Sequence, residues 1–131
     1  MKEGGGERNN DLEKRTFRFS VDVIKFLKTI KYSKENDVIK YQLAKSATSI
    51  GANYEEAQGA YSKEDFKYKI GICFRESKES NYWLRIIKAT EISNSENLNY
   101  LLQESKEIKS IFGSIMKKIH YLKDVYEKDK G

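Results

Sequence analysis

The 131-residue chain contains no proline, so no position forbids a helix by clashing with the preceding turn or by lacking an amide N–H. Between Thr16 and Asp129, where helix breakers are almost missing, lies the run Ala44-Lys-Ser-Ala-Thr-Ser-Ile-Gly-Ala-Asn-Tyr-Glu-Glu-Ala-Gln-Gly-Ala60, small on nearly all sides. A helix this thin lets neighbours approach closely from several directions. The pattern predicts the core helix of an all-α bundle.

Apolar periodicity divides the chain into four helices, about 12–32, 37–61, 63–90 and 96–127, in one domain spanning 11–129 behind a flexible tail of residues 1–10. Asp11 is the expected cap of helix 1, Asn36 or Asp37 of helix 2, and Ser62 of helix 3, where Glu64 and Asp65 complement the helix dipole. Helix 1 is read with Phe17, Val21, Ile24, Leu27 and Ile30 as its inner stripe, broadened by Phe19, Val23 and Phe26. Helix 3 turns Phe66, Ile70, Cys73, Ser77, Leu84 and Ile87 inward. Helix 4 keeps a heptad from Leu98 through Leu101, Ile108, Phe112, Ile115, Ile119 and Leu122 to Tyr126. Short connections between long helices imply an antiparallel up-down-up-down four-helix bundle.

Hydrophobic residues make up 38% of the chain and charged ones 34%, so the charges must coat helix exteriors. No segment is apolar and long enough to cross a bilayer, and the Met1–Arg15 start resembles neither a signal peptide nor an anchor; the expected location is cytoplasmic. The single cysteine, Cys73, lies on an apolar stripe and suits a reducing compartment. Net charge is +5 and is unevenly spread: residues 16–34 carry +4 and 62–90 carry +3, while 35–61 carry −2. Acidic partners such as RNA or DNA fit that balance.

Enzyme chemistry has few candidates. One histidine, His120, cannot build a His/Cys metal set, and Cys73 reads as an inert packed thiol. No cofactor is implied. On helix 2, Ser49, Asn53, Glu56 and Ala60 form a polar seam; on helix 3, Glu76 and Glu79 sit in the arc of Ile72, Trp83 and Ile86. Glu56, Glu76 and Glu79 could hold a metal or do acid/base work, but without histidine the better reading is a structural polar network setting the register of the two helices. The same arc, Ile72, Trp83 and Ile86, is a second apolar face, either an oligomer interface or a broad stripe wrapped within one monomer. On the self-association reading Trp83→Ala disrupts assembly before helicity. Lys67, Arg75, Lys78 and Arg85 interleave with Tyr82 on helix 3, and Lys25, Lys28 and Lys31 follow one another on helix 1. Cations around an aromatic suit phosphate contact plus base stacking, against the plainer alternative of two solvated faces.

Asp11-Leu12-Glu13-Lys14-Arg15-Thr16-Phe17-Arg18-Phe19, the run Ser46 to Ala57, Phe66 to Ile70 and Arg75 to Leu84 together resemble the bacterial four-helix-bundle proteins encoded in 23S ribosomal RNA intervening sequences. The resemblance covers nearly all of the chain after the tail. Its most specific part is Ser49, Ile50, Asn53 and Glu56, followed by Glu76, Glu79 and Leu84; Tyr54 and Ala57 depart from the usual smaller aliphatic and glycine. It implies a homopentamer around a central channel and no established enzymatic activity. The family is also similar in fold to the accessory protein of diversity-generating retroelements, a basic pentameric bundle that binds nucleic acid and a reverse transcriptase.

The residues and the resemblance together imply a non-enzymatic, homo-oligomeric scaffold that binds RNA or DNA through the cations of helices 1 and 3. The alternative is an adaptor for a neighbouring protein such as a reverse transcriptase.

Overall fold

The computed structural model describes the backbone of residues 4–130 and the side chains of residues 11–120. Four α-helices, α1 (Gly4–Leu27), α2 (Lys34–Gln58), α3 (Lys63–Ala89) and α4 (Glu96–Lys130), account for the fold, with no strand among the described residues. Each helix packs on the next and α4 closes on α1, so that α1 and α3 lie diagonally across the bundle with no close backbone approach among the described residues. One core runs through all four, built around Phe19, Leu43, Ile50, Ile70, Leu84, Ile108 and Phe112.

Caps and stops follow local chemistry. Ser33, not Asn36 or Asp37, caps α2: its hydroxyl accepts the Asn36 N–H at 2.9 Å. Ser62 caps α3 in the same way, accepting from Asp65 N–H at 3.0 Å. α2 ends at Gln58 rather than Tyr61 because Gly59, at its C-terminal cap, turns its N–H back to the Ala57 and Glu56 carbonyls. α1 ends at Leu27, short of Tyr32. There the ladder tightens to Thr29 N–H on Phe26 O and Ile30 N–H on Leu27 O, the Thr29 hydroxyl competes for the same Phe26 carbonyl, and Lys40 Nζ takes the Ile30 carbonyl at 2.7 Å. At its other end α1 begins at Gly4, so Asp11 lies inside the helix and residues 4–10 of the expected tail are helical; without a proline nothing stops the helix from propagating back through the glycines. Residues 1–3, and the side chains of Leu122 and Tyr126, lie outside the described residues.

The thin segment of α2 does what its composition implies on two sides. Toward α1, a Cβ built on Gly51 would lie 3.4 Å from the Thr16 backbone and hydroxyl, and Ser20 Oγ donates to Ala47 O at 3.0 Å. Toward α3, Ser46 and Ser80 meet hydroxyl to hydroxyl at 3.0 Å, and the Cys73 thiol donates to Ile50 O. Ala52 takes no part and is exposed.

The α1 face differs from the sequence reading. Phe19, Val23 and Phe26 are buried, whereas Phe17 is 62% exposed and Val21 and Ile24 are half-buried. Both stripes are apolar, and the one that fits against Ala47 and Gly51 carries the buried Thr16 and the partly buried Ser20 in its line. α3 and the described part of α4 keep their expected inner residues, Phe66, Ile115 and Ile119 being half-buried at the ends.

Candidate nucleic-acid interface

The outer side of α3 presents Arg75, Lys78, Tyr82 and Arg85, spaced by three, four and three residues and all exposed, which places them on one face. Lys67, two to three turns earlier, is half-buried. The aromatics hold the cations in place: Lys78 Nζ lies 4.9 Å from the Phe74 ring centre, and the Arg85 guanidinium lies 5.6 Å from that of Tyr82. Arg85 Nε also donates to Asn81 Oδ1 at 3.0 Å, while Asn81 Nδ2 donates to Ser105 Oγ of α4 at 2.9 Å. Arg85 is thereby tied through one side chain to the neighbouring helix.

That tie shows which side of α4 borders the stripe. Gly71 lies beside Met116 and Phe74 beside Gly113, and Lys88 Nζ donates to Asn99 Oδ1 at 3.3 Å. Lys106 is seven residues from both Asn99 and Gly113, and Lys109 is four from both Ser105 and Gly113, so both lie on the α3 edge of α4. Lys78, Arg85, Lys88, Lys106 and Lys109 thus line one seam. The nearby acids are turned elsewhere: Glu104 and Glu107 are held by Arg15 of α1, and Glu76 and Glu79 lie on the α2 side of α3. Among the described residues no cation of the seam is in an ion pair.

Sequence reasoning missed Asn81, Lys88, Lys106 and Lys109. The heptad Asn99, Lys106, Gly113 was the available signal, since it runs beside the apolar heptad of α4. Conversely, Lys25, Lys28 and Lys31 do not join this surface. They are exposed, but α1 lies diagonally across the bundle from α3, and Lys31 follows the end of α1.

The polar seam of α2 is placed beside α3 but is not bonded to both acids. Ser49 Oγ donates to Lys45 O and Asn53 Nδ2 to Ser49 O, both within their own helix. Glu56 pairs with Lys69, an opposite charge that two further carboxylates could not supply. Glu79 accepts the Trp83 indole N–H at 3.2 Å; Glu76 makes no described side-chain bond, and burial, reinforced by Glu79, pushes its carboxyl above the ordinary range. Polar groups that do bridge helices in the interior include Ser46 with Ser80, Asn81 with Ser105, Ser20 and Cys73. Ile72, Trp83 and Ile86 are all half-buried. Among the described residues no three acids, histidines or cysteines converge as a metal set, and burial pushes the Cys73 thiol up to about 12, so it is not a ready nucleophile at neutral pH. His120 is exposed, and no described helix is long and apolar enough to cross a membrane.

The family model described as 23S rRNA-intervening sequence protein matches residues 8–114. A crystal structure of a protein of unknown function from the S23 ribosomal protein family of Bacteroides thetaiotaomicron is similar at 32% identity, covering 83% of this chain and 97% of that one, with a TM-score of 0.75. No curated protein matches.

Proposed function

The chain belongs to the 23S rRNA-intervening sequence protein family, and from that premise we propose a non-enzymatic, self-associating helical scaffold that binds RNA or DNA along the α3–α4 seam. The observation that carries the reading is the line of Lys78, Arg85, Lys88, Lys106 and Lys109, none of them in an ion pair among the described residues, with Tyr82 beside it for stacking. From Lys78 to Lys88 the helix rises about 15 Å, enough to follow roughly four nucleotides of one duplex strand. Helix pairing supports the up-down-up-down part of the proposal: Thr16 lies against Gly51 and Ser20 against Ala47, one number rising as the other falls. The homopentamer that the family resemblance implies would repeat the seam in every copy and multiply a weak contact through avidity.

Fluorescence polarisation of a labelled RNA, titrated with protein across a salt series, tests the binding. Binding is expected to fall steeply with salt, and Lys78→Glu with Arg85→Glu to make the log–log slope shallower by about two, one per lost phosphate contact. Undiminished binding by that variant, or none by the wild type at low salt, refutes the reading. Capture of a protein that survives nuclease treatment by a chain that binds no nucleic acid would favour the adaptor role instead.

A further inference from the structure

We infer that the nucleic acid held along the α3–α4 seam is a single strand, RNA or DNA, whose backbone follows the seam and whose unpaired bases stack on Tyr68 and Tyr82. The inference rests on the nucleic-acid reading of that seam and names the form of its ligand. The seam's cations by themselves suit a duplex as well as a strand, because phosphates are common to both. The crest of α3 distinguishes them.

Tyr68, Arg75 and Tyr82 are spaced by seven residues, just short of two turns, and so lie in one row along the helix. The row stands opposite the buried line of Ile70, Cys73, Ser77 and Leu84, which makes it the outermost part of α3. All three residues are exposed, Tyr68 at 66% and Tyr82 at 45%. Two tyrosines left in water with an arginine between them add little to the core. They offer ring faces on which any base can stack, with a cation between them for phosphate. Tyr82 is already held in place: Trp83 meets it edge to face, with 5.1 Å between ring centres, and the Trp83 indole N–H is fixed on Glu79 at 3.2 Å. The Arg85 guanidinium, 5.6 Å from the Tyr82 ring centre, puts a phosphate-binding group beside that ring.

The charges on either side of the crest orient the strand. Lys78 and Arg85 lie on its α4 side, continued by Lys106 and Lys109 of α4. Its α2 side carries Glu79 and Glu76, the latter with Arg75 and Lys45 close enough to act on it, and Glu64 and Asp65 stand at the start of the helix. Phosphates are therefore drawn to the α4 side, and the bases of that strand fall over the crest. In a duplex the bases stack inside on one another and leave both tyrosines unused. From Tyr68 to Tyr82 the helix rises about 21 Å, which is about six nucleotides at a stacked spacing of about 3.4 Å.

The test is fluorescence polarisation of a labelled oligouridine or oligodeoxythymidine of about twelve nucleotides, twice the span of the crest, compared with the duplex that each forms with its complement. At physiological salt the strands should bind at least about tenfold more tightly than the duplexes. Tyr68→Leu and Tyr82→Leu should each weaken strand binding about fivefold or more, and Tyr68→Phe and Tyr82→Phe should retain it. The leucine variants should keep the salt slope of the wild type, since a lost stack involves no counterion. A duplex bound as tightly as the strand, or leucine variants that bind the strand as the wild type does, overturns this inference and leaves the seam standing. A wild type that binds neither at low salt overturns both. Leucine variants that lose affinity because they no longer assemble, by light scattering, place the tyrosines between copies and overturn the inference as well.

Discussion

Gly51 tests whether α2 is thin because its neighbours need it to be. It is buried in the middle of a helix, where glycine costs about 0.8–1 kcal/mol relative to alanine. A Cβ there would lie 3.4 Å from the Thr16 carbonyl carbon, carbonyl oxygen and Oγ1, which is ordinary van der Waals contact. Thr16 Oγ1 already donates within its own helix, to Leu12 O or Glu13 O, so a methyl group interrupts no bond between helices. Gly51→Ala should therefore stabilise the protein by about 1 kcal/mol, raising the melting temperature by about 3–4 °C for a chain of this size. Gly51→Val places two further carbons beyond that first contact, where backbone cannot retreat without prising α1 from α2. It should destabilise by about 1–3 kcal/mol. Urea unfolding followed by circular dichroism measures both. An alanine variant that loses more than about 1 kcal/mol would mean that the helices meet more closely than 3.4 Å; a valine variant as stable as wild type would mean that α1 is not held there at all.

Two further perturbations probe the polar contacts. Glu104, whose side chain is 13% exposed, accepts from both Arg15 Nε and Nη2 at 2.8 Å and fastens α4 to α1; Glu104→Gln should cost about 1 kcal/mol, less at high salt, in urea titrations at two ionic strengths. Equal loss at both would show that charge is not what fastens the pair. Glu76, with its folded pKa raised above the ordinary 4.5, binds its proton more tightly in the folded state than in the unfolded one. Its favourable contribution is complete below 4.5 and is lost as pH rises through the folded pKa. In dilute monomer, Glu76→Gln should therefore be more stable than wild type at neutral pH, with the difference vanishing below about pH 4.5; a constant gap across the pH range would contradict the assignment.

Several features were legible because they are local. Ser62 with Glu64 and Asp65 announces α3, and the heptad from Leu98 to Phe112 announces α4, since caps and apolar spacing act within a few residues. The end of α1 was not legible. It depends on Lys40, thirteen residues past Leu27, reaching back to the Ile30 carbonyl. The seam of Lys106 and Lys109 was hidden for a similar reason: their charges read as an ordinary exposed face until Asn81 and Ser105 show which edge of α4 adjoins α3.

By itself the sequence determined four helices, the thin waist of α2 and the inner faces of α3 and α4, because a helix fixes the angular spacing of its own side chains. It did not determine how each helix is rotated about its axis. α1 offers two apolar stripes side by side, and only contact with Ala47, Gly51 and the rest of the core selects Phe19, Val23 and Phe26 and leaves Phe17 outside. The bundle likewise separates the cations of α1 from those of α3 and gives α3 the lysines of α4 as neighbours. Rotation and adjacency are settled by packing among several helices at once, a property that no single segment carries.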